Sequence, residues 1–161
     1  MDRLWSPWRY RYISASEPVE GCIFCIKSRE DRDAENLVVY RGDLNFVLLN
    51  LYPYTSGHLM IAPYAHVATL EEADEATVAE MMFLTRRAQR HLREAYNAPA
   101  FNLGMNIGAA AGAGVAGHIH MHILPRWPGD ANFMTTVAET RVIPEDLQTA
   151  WGKLKAAFDA G

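Results

Sequence analysis

The segment Gly117-His118-Ile119-His120-Met121-His122-Ile123-Leu124-Pro125 constrains this chain more than any other. Its polar and apolar residues alternate one for one, which is the period of a β-strand. A strand over 118–124 therefore sets His118, His120 and His122 on one face and Ile119, Met121 and Ile123 on the other. Imidazoles two residues apart on one face stand roughly 6.6 Å from each other, close enough to divide positioning, nucleophilic attack and proton transfer among them. Three of the chain's six histidines fall within these five residues, a concentration that packing alone does not require.

The rest of the chain bounds what this row can belong to. With 161 residues, 50% hydrophobic and 21% charged, the chain has enough apolar surface for one substantial core and predicts a single folded domain with no long disordered tail. The formal net charge of −4 lacks the basic bias that favours nucleic-acid backbones or anionic membranes. A small phosphorylated ligand remains compatible with it, because local donors suffice to hold one. No apolar run reaches membrane-spanning length, and the first eight residues lack the apolar stretch of a signal peptide, so a cytoplasmic location is expected. The only cysteines, Cys22 and Cys25, form a C-x-x-C, which in a reducing compartment points to metal or redox chemistry before a structural disulfide.

Residues 1–20 interleave Trp5, Trp8, Tyr10 and Tyr12 with Arg3, Arg9 and Arg11 and read as an arm, packed or at a subunit interface, ahead of a domain over 21–161. A short helix is expected after the cysteines. Leu37–Tyr40 and Phe46–Leu49 read as a hairpin about Arg41-Gly42-Asp43, and His58–Ala62 as a third strand ended by Pro63. Asp74 is placed to cap a helix running to about Tyr96, with Val78, Met81, Met82, Thr85, Ala88, Leu92 and Tyr96 on one stripe and Arg86, Arg87, Arg90 and Arg93 on a solvated face. Phe101–Asn106 reads as the fourth strand and His118–Leu124 as the fifth. Pro144 would open a last helix with Leu147, Trp151, Leu154 and Phe158 on one side. Without regular strand–helix alternation, this order predicts an α+β fold with an antiparallel sheet and two main helices.

Gly112-Ala113-Gly114-Val115-Ala116-Gly117 matches the spacing of a dinucleotide-binding loop, but that fingerprint needs a strand before it and a helix after it, and here a strand follows. What remains is a loop, opening near Gly108, whose backbone N–H groups can turn toward an anion. The cysteine pair is open to three readings: a redox couple, half of a zinc site completed by histidines, or two buried thiols. The histidine row is also open to three. It can be packed or surface imidazoles, a three-histidine catalytic zinc site, or a row whose central imidazole is a nucleophile, with one nitrogen tied to a carbonyl and the other lone pair free to attack phosphorus. The adjoining glycine loop favours the last.

His118-Ile119-His120-Met121-His122-Ile123-Leu124 resembles the signature of the histidine triad (HIT) family, in which three histidines alternate with apolar residues. The likeness extends to Asn50 through Gly57-His58-Leu59-Met60-Ile61-Ala62-Pro63, and Cys22-Ile23-Phe24-Cys25 resembles the N-terminal motif of zinc-containing bacterial members. The resemblance implies a five-stranded antiparallel sheet with two helices, a homodimer, which the aromatic N-terminal arm could extend to a higher homo-oligomer, and transfer or hydrolysis at a nucleotide α-phosphate through a nucleotidyl-histidine. Carried over, it makes His120 the nucleophile, His122 the α-phosphate and leaving-group partner, and His58 part of the supporting network. Asn50 and Asn106, with Gly108 and Gly114 of the loop, would contact the nucleotide, while Cys22, Cys25, His66 and His118 would hold a structural zinc. Most members carry Gln where this chain has Gly114, so a side-chain phosphate donor is missing. Leu4–Arg9, Leu49–Tyr54, Pro125-Arg126-Trp127 and Gly129–Phe133 are most similar to bacterial diadenosine tetraphosphate phosphorylases and the fragile-histidine-triad branch. A dinucleoside polyphosphate substrate is therefore expected, with water or phosphate as acceptor. Other nucleotide conjugates, a weakly active binding module and a zinc-dependent hydrolase are the alternatives.

Overall fold

The structure, a computed structural model, describes residues 21–130 and 145–161. The expected arm, residues 131–133 and Pro144 lie outside that range. In chain order the elements are α1 (Ile23–Arg29), α2 (Asp33–Asn36), β1 (Val38–Arg41), β2 (Asn45–Leu49), β3 (Leu59–Pro63), α3 (Glu75–Tyr96), β4 (Ala100–Gly104), β5 (Met121–Arg126) and α4 (Leu147–Asp159). The strands form one sheet in the order β1-β2-β3-β5-β4, every neighbouring pair antiparallel. This is the α+β arrangement that the sequence predicts.

The sheet has apolar cover on both faces, and this is why every residue of β2 and β3 is buried. On one face α3 and α4 pack Met81, Leu84, Ala88, Leu92, Leu154 and Phe158 against Val39, Val47, Ile61, Ile119 and Ile123. On the other, Phe24 of α1 joins Val38, Phe46, Leu48, Met60 and Ala62. Asp74 caps α3 as expected, its carboxylate accepting the Thr77 N–H. Asp146 caps α4 in the same manner.

Several boundaries differ from the sequence reading. The fifth strand begins at Met121, not at His118. The partner ladder stops at Ile61↔Met121, two residues before Pro63 ends β3, and a proline has no N–H to extend it. The Ile119 N–H instead donates to the Val67 carbonyl at 2.8 Å, so the chain leaves the bend at His118 and reaches β5 held by a different partner. The fourth strand ends at Gly104, leaving Asn106 in the following loop. Helix α1 starts between the cysteines, not after them.

On α3 the buried stripe is Thr77, Met81, Leu84, Thr85, Ala88, His91 and Leu92, and Met82 is 52% exposed one position off it. Nor is the arginine run merely solvated. Arg87 donates to the Phe158 carbonyl and lies over the Tyr40 ring, Arg90 donates to the Gly161 carbonyl, and Arg93 lies over Phe101 while donating to Ala98 and Pro99 carbonyls. These guanidiniums bind the C-terminal helix and β4 to α3.

Candidate active site

The loop after β2 delivers His58 to the start of β3. Gly57 has φ +74°, and a Cβ there would come within 3.0 Å of Leu92 Cδ2 and 3.1 Å of Tyr96, so only glycine lets the loop lie this close to α3. Asn50 at the other end of the loop stabilises the turn. Its backbone N–H donates to the His58 carbonyl, and its side-chain oxygen accepts the Tyr52 N–H at 3.0 Å.

The hydrogen-bond partners fix the tautomer of each imidazole. The Tyr54 backbone N–H points at His58 Nδ1, 3.2 Å away, and the Asn50 side-chain nitrogen lies 3.3 Å from the same atom. Nδ1 of His58 is therefore the acceptor and its proton sits on Nε2. That Nε2–H donates to His122 Nδ1 at 2.9 Å, which in turn leaves the proton of His122 on Nε2. His120 is set the opposite way round. Its Nδ1 lies 2.9 Å from the His118 carbonyl and must donate to it, so Nε2 carries an unprotonated lone pair. The two imidazoles, 4.8 Å apart between ring centroids, present an acceptor and a donor side by side.

Burial keeps the rings neutral. It lowers His58 to about 3, with His122 and His120 nearby adding to the effect. His122 falls to about 4 through burial and the neighbouring His120. Burial also lowers His120, against a smaller upward pull from its bond to the His118 carbonyl. A neutral His120 is what nucleophilic attack requires, because protonation would occupy its free lone pair.

His118 turns out of the row. Its Nε2–H donates to the Pro63 carbonyl at 2.9 Å, so Nδ1 offers a lone pair to a group formed with Cys22, Cys25 and His66. His118 Nδ1 lies 3.3 Å from Cys22 Sγ, 3.7 Å from Cys25 Sγ and 3.3 Å from His66 Nδ1, and Cys25 Sγ lies 3.4 Å from His66 Nδ1. A tetrahedral zinc with ordinary Zn–N and Zn–S bonds separates two nitrogens by about 3.3 Å and a nitrogen from a sulfur by about 3.6 Å. The donor set, two thiols and two imidazoles, and the spacing both fit such an ion, and the Pro63 carbonyl supplies the outer hydrogen bond that fixes the His118 ring. The three triad rings thus face three different partners. They do not converge on one ion, which removes the geometric basis for a three-histidine catalytic metal site.

The loop before the triad is less of an anion cradle than its glycines suggest. Gly108 and Gly112 have φ of +82° and +86°, but the N–H groups of Ala111, Gly112 and Ala113 all bond to carbonyls within the loop. Gly114 is exposed and Asn106 is half-buried just past β4. Two contributors escaped the sequence reading. Tyr54 places its ring 4.8 Å from that of His58 and 6.2 Å from that of His122. Phe24 sets its ring 5.2 Å from His118 and 4.8 Å from His120. The only signal for either was its place inside a motif, between the two cysteines or just ahead of Gly57-His58.

A five-stranded antiparallel sheet presents a tautomer-fixed histidine pair beside a Cys–His cluster, and sequence comparison assigns the class of protein that carries it. The HIT domain family matches residues 31–129, and the chain belongs to that family. It is 40% identical over 156 residues to the AP-4-A phosphorylase of Mycobacterium tuberculosis, covering 92% of this chain and 80% of that protein. It is 27% identical over 124 residues to the asymmetrical bis(5'-nucleosyl)-tetraphosphatase of Schizosaccharomyces pombe, covering 77% of this chain and 64% of that one. Among solved structures, a Zn-bound histidine triad family protein from Mycobacterium smegmatis superposes with a TM-score of 0.69 at 30% identity, covering 87% of this chain and 94% of its own.

Proposed function

We propose that this HIT protein cleaves dinucleoside polyphosphates, diadenosine tetraphosphate being the representative substrate, at the α-phosphate through a nucleotidyl-histidine on His120. The observation that carries this reading is the opposed tautomers of His120 and His122. Similarity to relatives named for cleavage of such substrates supports the substrate class.

In the first step the His120 Nε2 lone pair attacks the α-phosphorus and the phosphorus–oxygen bond opposite breaks, its electrons leaving on the polyphosphate oxygen. The positive charge that forms on the His120 ring is stabilised through Nδ1–H by the His118 carbonyl. His122 offers its Nε2–H to the oxygens where charge builds and keeps its proton, since a polyphosphate leaves as an anion without one. His58 holds the His122 ring in place. In the second step inorganic phosphate or water attacks the same phosphorus, the nitrogen–phosphorus bond electrons return to Nε2, and the proton that an attacking water loses passes to solvent. Phosphate as acceptor yields a nucleoside diphosphate. Asn50, Asn106, Gly108 and Gly114 are assigned to the nucleotide, Asn50 to the ribose hydroxyls.

Cys22, Cys25, His66 and His118 would hold zinc as a structural ion, and a bound ion would lock the segment whose carbonyl orients His120. Beyond the monomer, the resemblance implies a homodimer, and the outer edge of β4, the last strand of the sheet among the described residues, is the pairing edge we assign to it.

The test is product analysis of diadenosine tetraphosphate in ¹⁸O-labelled water, with and without inorganic phosphate. Phosphate-dependent, unlabelled ADP is the expected result for a phosphorylase, and label in AMP identifies a hydrolase. Absence of cleavage under both conditions contradicts the reading.

A further inference from the structure

We infer that Tyr54 is a positioning residue for the proposed reaction: its ring covers the hydrogen bond between His58 and His122, keeps water from it, and so holds the Nε2–H of His122 ready for the departing oxygen. This rests on the proposed function and deepens it by giving a role to a side chain that acts only through another.

The loop from Asn50 to Gly57 brings Tyr54 onto the histidine pair by both its backbone and its ring. The Tyr54 N–H points at His58 Nδ1, 3.2 Å away. The ring lies 4.8 Å from that of His58, tilted by 41°, and 6.2 Å from that of His122 at 28°. Both separations are within the range at which aromatic rings pack. One phenol ring therefore lies against both members of a pair whose own bond is 2.9 Å. The framework bounds the pair elsewhere: Met60 of β3 and Gly104 of β4 oppose His122 across the sheet, and His120 stands beside it on the same chain. The loop side needs a cover, and Tyr54 is the ring the loop lays there. His58 accordingly has no exposed surface.

A hydrogen bond between two neutral imidazoles holds well only where water does not compete for its ends. Water admitted here would take the His58 Nε2–H and the His122 Nδ1 separately, and His122 would then carry its proton on either nitrogen. Protonation of His122 meets a second obstacle. A cationic His122 directs an Nδ1–H at the His58 Nε2–H, and His58 accepts it only by moving its own proton to Nδ1, where the Tyr54 N–H already points. The backbone opposes that shift, and the ring excludes the solvent that would relieve it. The titratable groups that face the pair are His120 from β5, the Tyr54 phenol from the loop and, beyond Gly57, the Tyr96 phenol from α3, while β3 and β4 bring the uncharged Met60 and Gly104. None of these is a carboxylate. Burial beneath the cover, helped by His120, is what holds His122 at about 4.

The experiment records side-chain ¹⁵N spectra of the His122 ring in substrate-free protein across an acid titration, for the parent, Tyr54→Phe, Tyr54→Leu and Tyr54→Ala, and then measures kcat for each on diadenosine tetraphosphate. All four keep the backbone N–H at position 54, so any difference belongs to the side chain. The parent and Tyr54→Phe should show the Nε2–H tautomer alone. Tyr54→Ala should show both tautomers at neutral pH, a titration midpoint raised by about one pH unit or more, and a kcat lower by about tenfold. Tyr54→Leu, which keeps the bulk of a side chain there, should fall between and carries the test if Tyr54→Ala fails to fold. A loss of stability alone would not move the tautomer or the midpoint of the folded protein. A single Nε2–H tautomer with an unshifted midpoint in Tyr54→Ala, an unchanged kcat, or a Tyr54→Phe that behaves as Tyr54→Ala overturns the inference. A parent that does not cleave the substrate defeats the proposed function instead, and the spectra distinguish the two because they involve no turnover.

Discussion

His58 Nε2 lies 2.9 Å from His122 Nδ1, and because His58 Nδ1 is filled by the Tyr54 backbone N–H, the proton between the two rings belongs to His58. A buried histidine from the start of β3 thereby decides which nitrogen of His122 faces outward. Replacing His58 by Phe keeps the ring volume and removes the donor. His122 then loses its fixed tautomer, and kcat is expected to fall by roughly tenfold to a hundredfold, about 1.4–2.7 kcal/mol of transition-state stabilisation, with metal content unaltered. Steady-state kinetics beside metal analysis checks this, and an unchanged kcat contradicts the role given to His58.

The low proton affinities of His58, about 3, and His122, about 4, make folding sensitive to acid in a definite window. An unfolded chain protonates these rings below about pH 6.5, while the folded chain leaves them neutral until the pH approaches the lowered values. Stability is thus fully present above pH 6.5 and is lost as pH falls toward 4, by up to about 1.4 kcal/mol per pH unit for each ring. Urea unfolding between pH 7 and 4.5 should show this decline. A flat profile contradicts the neutral buried rings.

His120 is lowered by the same burial. Activity in kcat/KM should accordingly persist as pH drops through 6.5, where an exposed imidazole would already be half protonated, and fall only at lower pH. A half-maximal loss at or above pH 6.5 would show that the nucleophile is not shielded as described.

Removing metal should separate the two histidine functions. Cys22→Ser breaks the cluster and is expected to lose bound zinc and several degrees of melting temperature, whereas His122→Ala should keep the zinc and lose turnover. Plasma emission spectrometry of the purified variants decides it. Zinc lost from His122→Ala would mean that the triad itself is a metal site.

How far the sequence carried this account differs from element to element. The α3 cap at Asp74 and the five strands were readable because capping chemistry and two-residue alternation are local. The start of β5 was not, since it depends on where β3 ends at Pro63 and on the Val67 carbonyl, which the fold brings to Ile119. Alternation alone set His118, His120 and His122 in one equivalent row. What distinguishes them is the carbonyl or ring that each meets, Pro63 and the cysteines, the His118 backbone, or His58. Those are long-range or conformational facts. The resemblance supplied the assignments that the residues themselves left open, but it gave no role to the Tyr54 and Phe24 rings that pack on the histidines or to the arginines of α3 that join the helices.

A covalent bond from His120 Nε2 to the nucleotide is the step on which the proposed reaction turns, and rapid acid-free quenching followed by peptide mass spectrometry detects it. Protein mixed with diadenosine tetraphosphate in the absence of inorganic phosphate should carry an adenylyl group on the peptide containing His120, and His120→Ala should carry none and turn nothing over. An unmodified His120 peptide during steady turnover, or turnover that survives in His120→Ala with its fold intact, would contradict the account.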